Sequence, residues 1–306
     1  MVVESNSIIT DPTISVCILC YNHQAFIEKC LDNVLAQKTD FSFEIVLGDD
    51  CSTDNSVDIC VEYQKRYPEK IRLFLNETNQ GLIRNYVNLL SQCRGTFIAI
   101  CAGDDYWCDE NKLQKQVTFL SENPDYSMCF TNAYTESHFP GDDSRKVLFG
   151  DIENREYQGD EIILKWTVPA SSVVFRNHLF DPLVLLNRVY YAEDLVTYLL
   201  LKQYGKLYGM ADVTTVYVLH GNSINGSKRS TEEFLFRYKT TLKSIDEELD
   251  RKYHPIIAKD LSIAFYKAAK DDFKRGSKRN ALRLLFEALV YNPFSVCYQL
   301  WKSLIS

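Results

Sequence analysis

The chain lacks any apolar run long enough to cross a bilayer. Its longest, such as Val16–Tyr21 and Phe97–Ala102, are about six residues, against the roughly 20 that a spanning helix needs. No apolar h-region follows Met1, so a secretory signal is not expected. Cysteine is not scarce, at 10 residues, but no spacing repeats as a disulfide framework would. Free thiols and a cytoplasmic location are the expectation. A basic excess is also missing. With 41 acidic and 34 basic side chains the net charge is −7, the wrong sign for a whole-chain nucleic-acid binder. Neither G-x-G-x-x-G after the first predicted strand nor G-x-x-x-x-G-K-[ST] occurs, which excludes a dinucleotide fingerprint and a Walker loop. What is there is ordinary: 306 residues, 46% apolar and 25% charged, which excludes disorder, a collagen-like fibre and a pure coiled coil.

The charge is unevenly spread. Residues 228–306 hold 16 Lys/Arg and 10 Asp/Glu, whereas residues 1–227 hold 18 basic and 31 acidic side chains. Such asymmetry implies different partners for the two parts.

Short β-branched runs at Thr13–Cys20, Phe43–Leu47, Ile71–Leu75 and Thr96–Cys101 read as buried strands. Helical spacing fills Ala25–Gln37, the segment from Asp54 through Tyr67, Ile83–Ser91 and Lys112–Leu120. Strands alternating with helices predict βαβ units, right-handed crossovers and a mainly parallel, doubly wound α/β sheet. Tyr126–Asn132, Ser171–Arg176 and Val213–Leu219 read as further strands, residues 135–160 as a long polar loop, and Ala192–Tyr204 as a helix. After Gly226 three helices are predicted, over Thr231–Asp250, Ile256–Lys270 and Lys278–Leu289. The best domain cut lies near 226–230.

Open parallel sheets bind ligands outside the carboxyl ends of their strands. This chain places Tyr21-Asn22, Asp49-Asp50 and Asp104-Asp105 there. Asp-Asp occurs four times, the others being 142–143 and 271–272, and any one pair can be a cap or a solvated loop. Two pairs directly after strands of one sheet are harder to attribute to capping. Clustered carboxylates repel, and a cation shared with a substrate diphosphate relieves that repulsion. Oxygen ligands on a loop suit Mg²⁺ or Mn²⁺.

Three stretches, ISVCILCYNHQAFIEKCLDNVLAQ, FEIVLGDDCSTDNS and NETNQGLIRNYVNLLSQCRGTFIAICAGDDYW, resemble the family 2 glycosyltransferases of GT-A fold. The resemblance is collinear over about residues 13–120 and weakens over 121–225. It implies a GT-A-like domain over 1–226, with about 13–120 as donor-nucleotide half and 121–226 as acceptor half. Residues 227–306 follow as a helical appendage. It also implies a nucleotide-diphosphosugar donor, with UDP as the expected nucleotide, a divalent cation and inversion at the anomeric carbon. The acceptor would be a hydroxyl of a glycan or lipid-linked molecule, in surface polysaccharide or glycoconjugate synthesis. Tyr21, with Asn22, would lie against the base and Asp50 would hydrogen-bond it. Arg84 would approach the diphosphate or sugar. Asp104 and Asp105 occupy the D-x-D position, with Asp105 expected as metal ligand and Asp104 on sugar or ribose hydroxyls. Glu193-Asp194 stands where the family has its acidic pair, Asp194 being the expected catalytic base and Glu193 the reserve. His220, in LHGNSIN, resembles the family's trailing histidine, as a metal or diphosphate contact or as a structural loop residue. Val218 stands where that pattern has arginine.

Two other function classes remain open on the residues: a non-catalytic nucleotide-sugar binding module, and a sugar nucleotidyltransferase. Cys17 and Cys20 form a C-x-x-C inside a strand, where side chains three apart face opposite ways, so core thiols are expected and not a zinc or redox pair. Tyr106 and Trp107 read equally as core or as sugar contacts. The tail interleaves Lys270, Lys274, Arg275, Lys278, Arg279, Arg283 and Lys302 with Phe273, Leu282, Leu285, Phe294 and Trp301. Such a basic amphipathic tail suits either peripheral contact at the inner face of a membrane, or packing on the catalytic domain or in a homo-oligomer.

Overall fold

In the computed structural model, residues 2–3, 11–139, 147–165, 167–221 and 230–305 are described. The chain opens with β1 (Val2–Val3), β2 (Ile14–Cys20), α1 (Ile27–Leu35), β3 (Phe43–Asp49), α2 (Ser56–Arg66) and β4 (Ile71–Leu75). It continues through α3 (Leu82–Leu90), β5 (Phe97–Ala102), β6 (Tyr106–Trp107), α4 (Lys112–Glu122) and β7 (Tyr126–Ser137). Then come β8 (Val147–Leu148), β9 (Arg155–Tyr157), α5 (Gly159–Lys165), β10 (Val174–Arg176), α6 (Glu193–Tyr204) and β11 (Lys206–Leu219). The tail forms α7 (Thr231–Glu248), α8 (His254–Lys274), α9 (Lys278–Tyr291) and α10 (Pro293–Ile305).

The strands form one mixed sheet in the order β1-β4-β3-β2-β5-β10-β7-β11-β6, with β8 on β7 and β9 on β11. β4, β3, β2 and β5 run parallel, as do β7 and β11, while β10 is antiparallel between β5 and β7. Continuous apolar runs suit strands covered on both faces. Ile14, Val16, Ile18 and Cys20 of β2 share a core with Ile45, Leu47, Ile71, Leu73, Ala99 and Cys101, and with Ile27, Leu31 and Val34 of α1. Cys17 and Cys20 are both buried and free, as core thiols.

The structure corrects several boundaries. Residues 135–160 are not one loop: β7 extends to Ser137, and β8 and β9 follow, while residues 140–146, with Gly141, Asp142 and Asp143, lie outside the described residues. Ser171–Arg176 is half turn, because Ala170–Ser172 winds as a 3₁₀ helix before β10. The last strand begins at Lys206, and the described tail has four helices where three were expected. Pro293 opens the fourth, since a first-turn proline needs no N–H partner and its φ is already helical.

The chain divides into two compact units, Met1–Gln158 with Thr167–Asn187 and Thr197–Ser227, and Gly159–Trp166 with Arg188–Val196 and Lys228–Ser306. The cut expected at 226–230 falls largely on residues 222–229, outside the described residues. In the second unit, Arg188 bridges Glu247 and Glu248 at 2.6 and 2.9 Å, and the Thr241 hydroxyl accepts from the Tyr191 N–H, tying 188–191 to α7.

Candidate active site

β3, β2 and β5 are parallel neighbours, so the loops leaving their carboxyl ends emerge on one edge of the first unit. Backbone and side-chain hydrogen bonds knit these loops together. The Asn22 carboxamide oxygen accepts from the Thr53 N–H at 2.8 Å, and the Asn22 N–H donates to the Ser52 hydroxyl at 2.9 Å. Asn22 takes a left-handed backbone, φ 56°, which asparagine tolerates better than most residues. Tyr21 beside it is exposed, its ring available for stacking.

Asp50 is buried and accepts three bonds: from Asn76 Nδ2 at 2.8 Å, the Gln80 N–H at 2.8 Å and the Gly81 N–H at 2.9 Å. It therefore anchors the loop leading into α3, where Gly81 has φ +80°, a conformation only glycine adopts without strain. Arg84, in the first turn of α3, is exposed. Asp50→Ala would leave these donors without their carboxylate, at about 1–3 kcal/mol. The expected result is a lower urea midpoint with an unchanged m-value. An unchanged midpoint would mean that the loop does not depend on Asp50.

The two carboxylates after β5 have opposite surroundings. Asp105 is 2% exposed, and both its oxygens are engaged: one accepts from the Ser171 hydroxyl at 2.5 Å, the other from the Val218 N–H at 3.0 Å. Burial, and then the charge of Asp104, push its carboxyl well above the ordinary range. Asp104 instead meets imidazoles, with His220 Nε2 at 3.0 Å and His23 Nε2 at 3.7 Å from Oδ2. Burial opposes its charge, but the His220 hydrogen bond and the charges of His23 and His220 outweigh it and hold the carboxyl below its usual value. Their surroundings therefore favour the charged form at Asp104 more than at Asp105. Asp105 is placed to brace the loop against β11 and the 3₁₀ turn.

Local geometry sets this up. Gly103 donates its N–H to the Leu19 carbonyl, and a Cβ there would meet that oxygen at 2.8 Å and His23 Nδ1 at 2.9 Å, so only glycine lets the loop approach. The Phe26 ring lies 4.4 Å from that of His220, fixing the imidazole. Tyr106 and Trp107 are buried. The Tyr106 hydroxyl donates to Glu136 at 2.7 Å, and Trp107 Nε1–H donates to the Ser171 carbonyl at 2.9 Å, so they support the loop from below. His23, Phe26 and Ser171 belong to the same constellation and were not among the residues expected. Only His23 had a signal, its place directly after β2.

Among the described residues, no group of three or more His, Cys, Asp or Glu side chains is arranged to hold a metal ion. Asp104 and His220 together supply one oxygen and one nitrogen donor, and His23 stands just behind. That set fits an ion shared with a diphosphate, which keeps most of its ligands outside the protein, and not one caged by the chain.

Glu193 and Asp194 belong to the second unit and open α6. Both are partly exposed, and Asp194 Oδ1 accepts from the Leu195 N–H at 2.7 Å. Burial, with the Asp194 charge beside it, pushes the Glu193 carboxyl up to about 8. Burial thus favours the neutral form of Glu193.

The family model described as glycosyl transferase family 2 matches residues 15–179. A putative teichuronic acid biosynthesis glycosyltransferase of Bacillus subtilis, TuaG, is 29% identical over 230 residues, 74% of this chain and 88% of that protein. An uncharacterized protein of Mycobacterium tuberculosis is 35% identical over 169 residues, 53% of this chain. That match spans 46% of the relative, so the chain accounts for about half the length of such relatives. Among solved structures, S. aureus TarS 1–349 in complex with UDP-GlcNAc superposes with TM-score 0.64 and 20% identity, covering 90% of this chain and 79% of that one. The mannosyltransferase PcManGT from Pyrobaculum calidifontis, in complex with GDP-Man and Mn²⁺, gives TM-score 0.56 at 16% identity, covering 96% and 84%. At these identities the structures show a shared fold.

Proposed function

This chain belongs to glycosyl transferase family 2, and from that premise we propose that it transfers a sugar from a nucleotide-diphosphosugar, with inversion, to a hydroxyl of a glycan or lipid-linked acceptor in surface polysaccharide or glycoconjugate synthesis. The observation that carries the reading is the asymmetry of the aspartate pair. One carboxylate is buried in protein hydrogen bonds, and the other is held ionised beside two imidazoles at the carboxyl edge of a parallel sheet.

Tyr21 stacks on the donor base, Asn22 and Asp50 shape the base pocket, and Arg84 reaches the diphosphate. Asp104, with His220, holds the divalent ion, Mn²⁺ or Mg²⁺. This assignment exchanges the roles expected from the D-x-D resemblance, because both oxygens of Asp105 already accept from protein donors. When bound, such an ion supplies Lewis-acid neutralisation of the charge that develops on the departing diphosphate. The acceptor oxygen attacks the anomeric carbon from the face opposite the leaving group. One carbon–oxygen bond forms as the bond to the diphosphate breaks, and the electron pair leaves with the diphosphate. The hydroxyl proton passes to Asp194 as the bond forms, because a sugar hydroxyl is too weak an acid to attack unaided. One carboxylate suffices, and no covalent nucleophile is required. UDP is the expected nucleotide, in keeping with the UDP-GlcNAc bound by TarS.

The family match decides against a nucleotidyltransferase. A thermal-shift screen of UDP, GDP, CDP and dTDP, each with and without Mn²⁺, tests the donor side. One nucleoside diphosphate is expected to stabilise the full chain, and more strongly with the ion. No shift from any of them would overturn the proposal.

A further inference from the structure

The last two helices of the second unit expose cationic and apolar side chains among the described residues. Ala281, Leu284 and Ala288 of α9 are buried, and Glu287 turns to Lys239 of α7 at 2.9 Å. The exposed arc of α9 holds Lys278, Arg279, Leu282, Arg283, Phe286, Leu289 and Val290, within about 140° at the helical period. It contains three cations, four apolar residues and no acid. Leu282, Phe286 and Val290 are 67%, 69% and 65% exposed. Arg283 pairs with Glu232 of α7 at 2.8 Å, an exposed bridge of small energetic weight.

The second observation is on α10, one residue further along. Among its described side chains Val296 is buried, while Phe294, Tyr298 and Trp301 are exposed, Phe294 by 85%. No charged residue occurs between Pro293 and Trp301. A shallow cavity also opens at the turn before α9, lined by Gly276, Ser277, Lys278, Arg279, Asn280 and Arg283. Lys270, Lys274 and Arg275 are exposed at the end of α8. Of the two acids nearby, Asp271 is exposed and Asp272 is hydrogen-bonded by Asn280.

We propose that α9 and α10 dock this protein on an anionic lipid surface. The phenyl, indole and aliphatic side chains enter the headgroup boundary, and the cations at the α8–α9 turn sit on lipid phosphates. Among the described residues no helix is long and apolar enough to cross a membrane, so this contact lies in the plane of the interface. The charge pattern selects lipid over a second copy. A second copy of the same arc offers these cations no acid to pair with, whichever way the two helices run, whereas a bilayer rich in phosphatidylglycerol supplies the missing negative charge. If the acceptor is lipid-linked, docking places enzyme and acceptor on one surface, but the contact itself does not depend on that reading.

Vesicle flotation of the full chain tests it without any activity measurement. Vesicles of phosphatidylcholine with about 30% phosphatidylglycerol are expected to carry the protein to the top fraction, and pure phosphatidylcholine vesicles to leave it below. Lys278→Ala with Arg279→Ala should weaken partitioning on the order of 25-fold, about fivefold for each cation removed. Phe286→Glu with Phe294→Glu should abolish flotation while circular dichroism stays that of the parent chain, since both side chains are exposed. Equal recovery below both vesicle types, or equal flotation on both, would overturn the proposal. So would a stable dimer by light scattering that Phe294→Glu converts to monomer.

Discussion

Asp194→Asn is expected to lower glycosyl transfer by about 10²–10⁴-fold, the usual contribution of a positioned general base. Binding of the nucleoside diphosphate should change less than twofold, because the base acts on the acceptor proton and only in the transition state. Glu193→Gln gives the contrast. The neighbouring carboxyl, pushed up to about 8 by burial and by Asp194, is already largely neutral at pH 7, so its amide should retain transfer within a few-fold. The two variants separate the roles of two adjacent acids. If Glu193→Gln collapsed transfer and Asp194→Asn did not, the base would be Glu193. The raised carboxyl also carries a stability signature. Between roughly pH 4.5, near the ordinary value for a free glutamate, and about 8, the folded chain keeps a proton that the unfolded chain releases, so stability falls as pH rises through that window. Glu193→Gln should flatten that slope in denaturant titrations at pH 5, 6.5 and 8.

Asp104→Asn should have the second large effect, a loss of about 10²–10³-fold in transfer together with the Mn²⁺ enhancement of nucleotide binding. Asp105→Asn should act differently. Its carboxyl group bridges the Ser171 hydroxyl and the Val218 N–H, so substitution loosens the loop after β5, lowering the folding free energy by about 1–3 kcal/mol and with it the denaturation midpoint. Calorimetry of nucleotide binding with and without Mn²⁺, beside urea melts of both variants, distinguishes them. If the ion's enhancement survived in Asp104→Asn and vanished in Asp105→Asn, the metal would belong to Asp105.

The half of the chain that holds the sheet was legible because its strands are short β-branched runs with turn residues at their ends. Tyr21-Asn22, Asp49-Asp50 and Asp104-Asp105 all fall at the carboxyl ends of parallel strands, Asp49 as the last residue of β3, and such strands place those ends on one edge. The different surroundings of Asp104 and Asp105 were not legible. They depend on Ser171, 66 residues away, and on the backbone of Val218, 113 residues away, and no local pattern announces either. Trp107 and Tyr106 follow the aspartates like sugar contacts, yet they are buried because β6 pairs with the late strand β11. The reading of 135–160 as loop failed because β8 and β9 are two and three residues long, too short for periodicity to register. In the tail, the helix that Pro293 opens was not among the three expected.

The central claim is that this chain moves a sugar from a nucleotide-diphosphosugar to a hydroxyl. Its most direct test is mass spectrometry of products after the full chain is incubated with Mn²⁺, a panel of UDP- and GDP-sugars, and lipid-linked and soluble glycan acceptors. The account predicts one donor that yields nucleoside diphosphate and a glycosylated acceptor of inverted anomeric configuration, in amounts abolished by EDTA and by Asp104→Asn. Absence of product from every donor, or product of undiminished amount from Asp104→Asn, would contradict it.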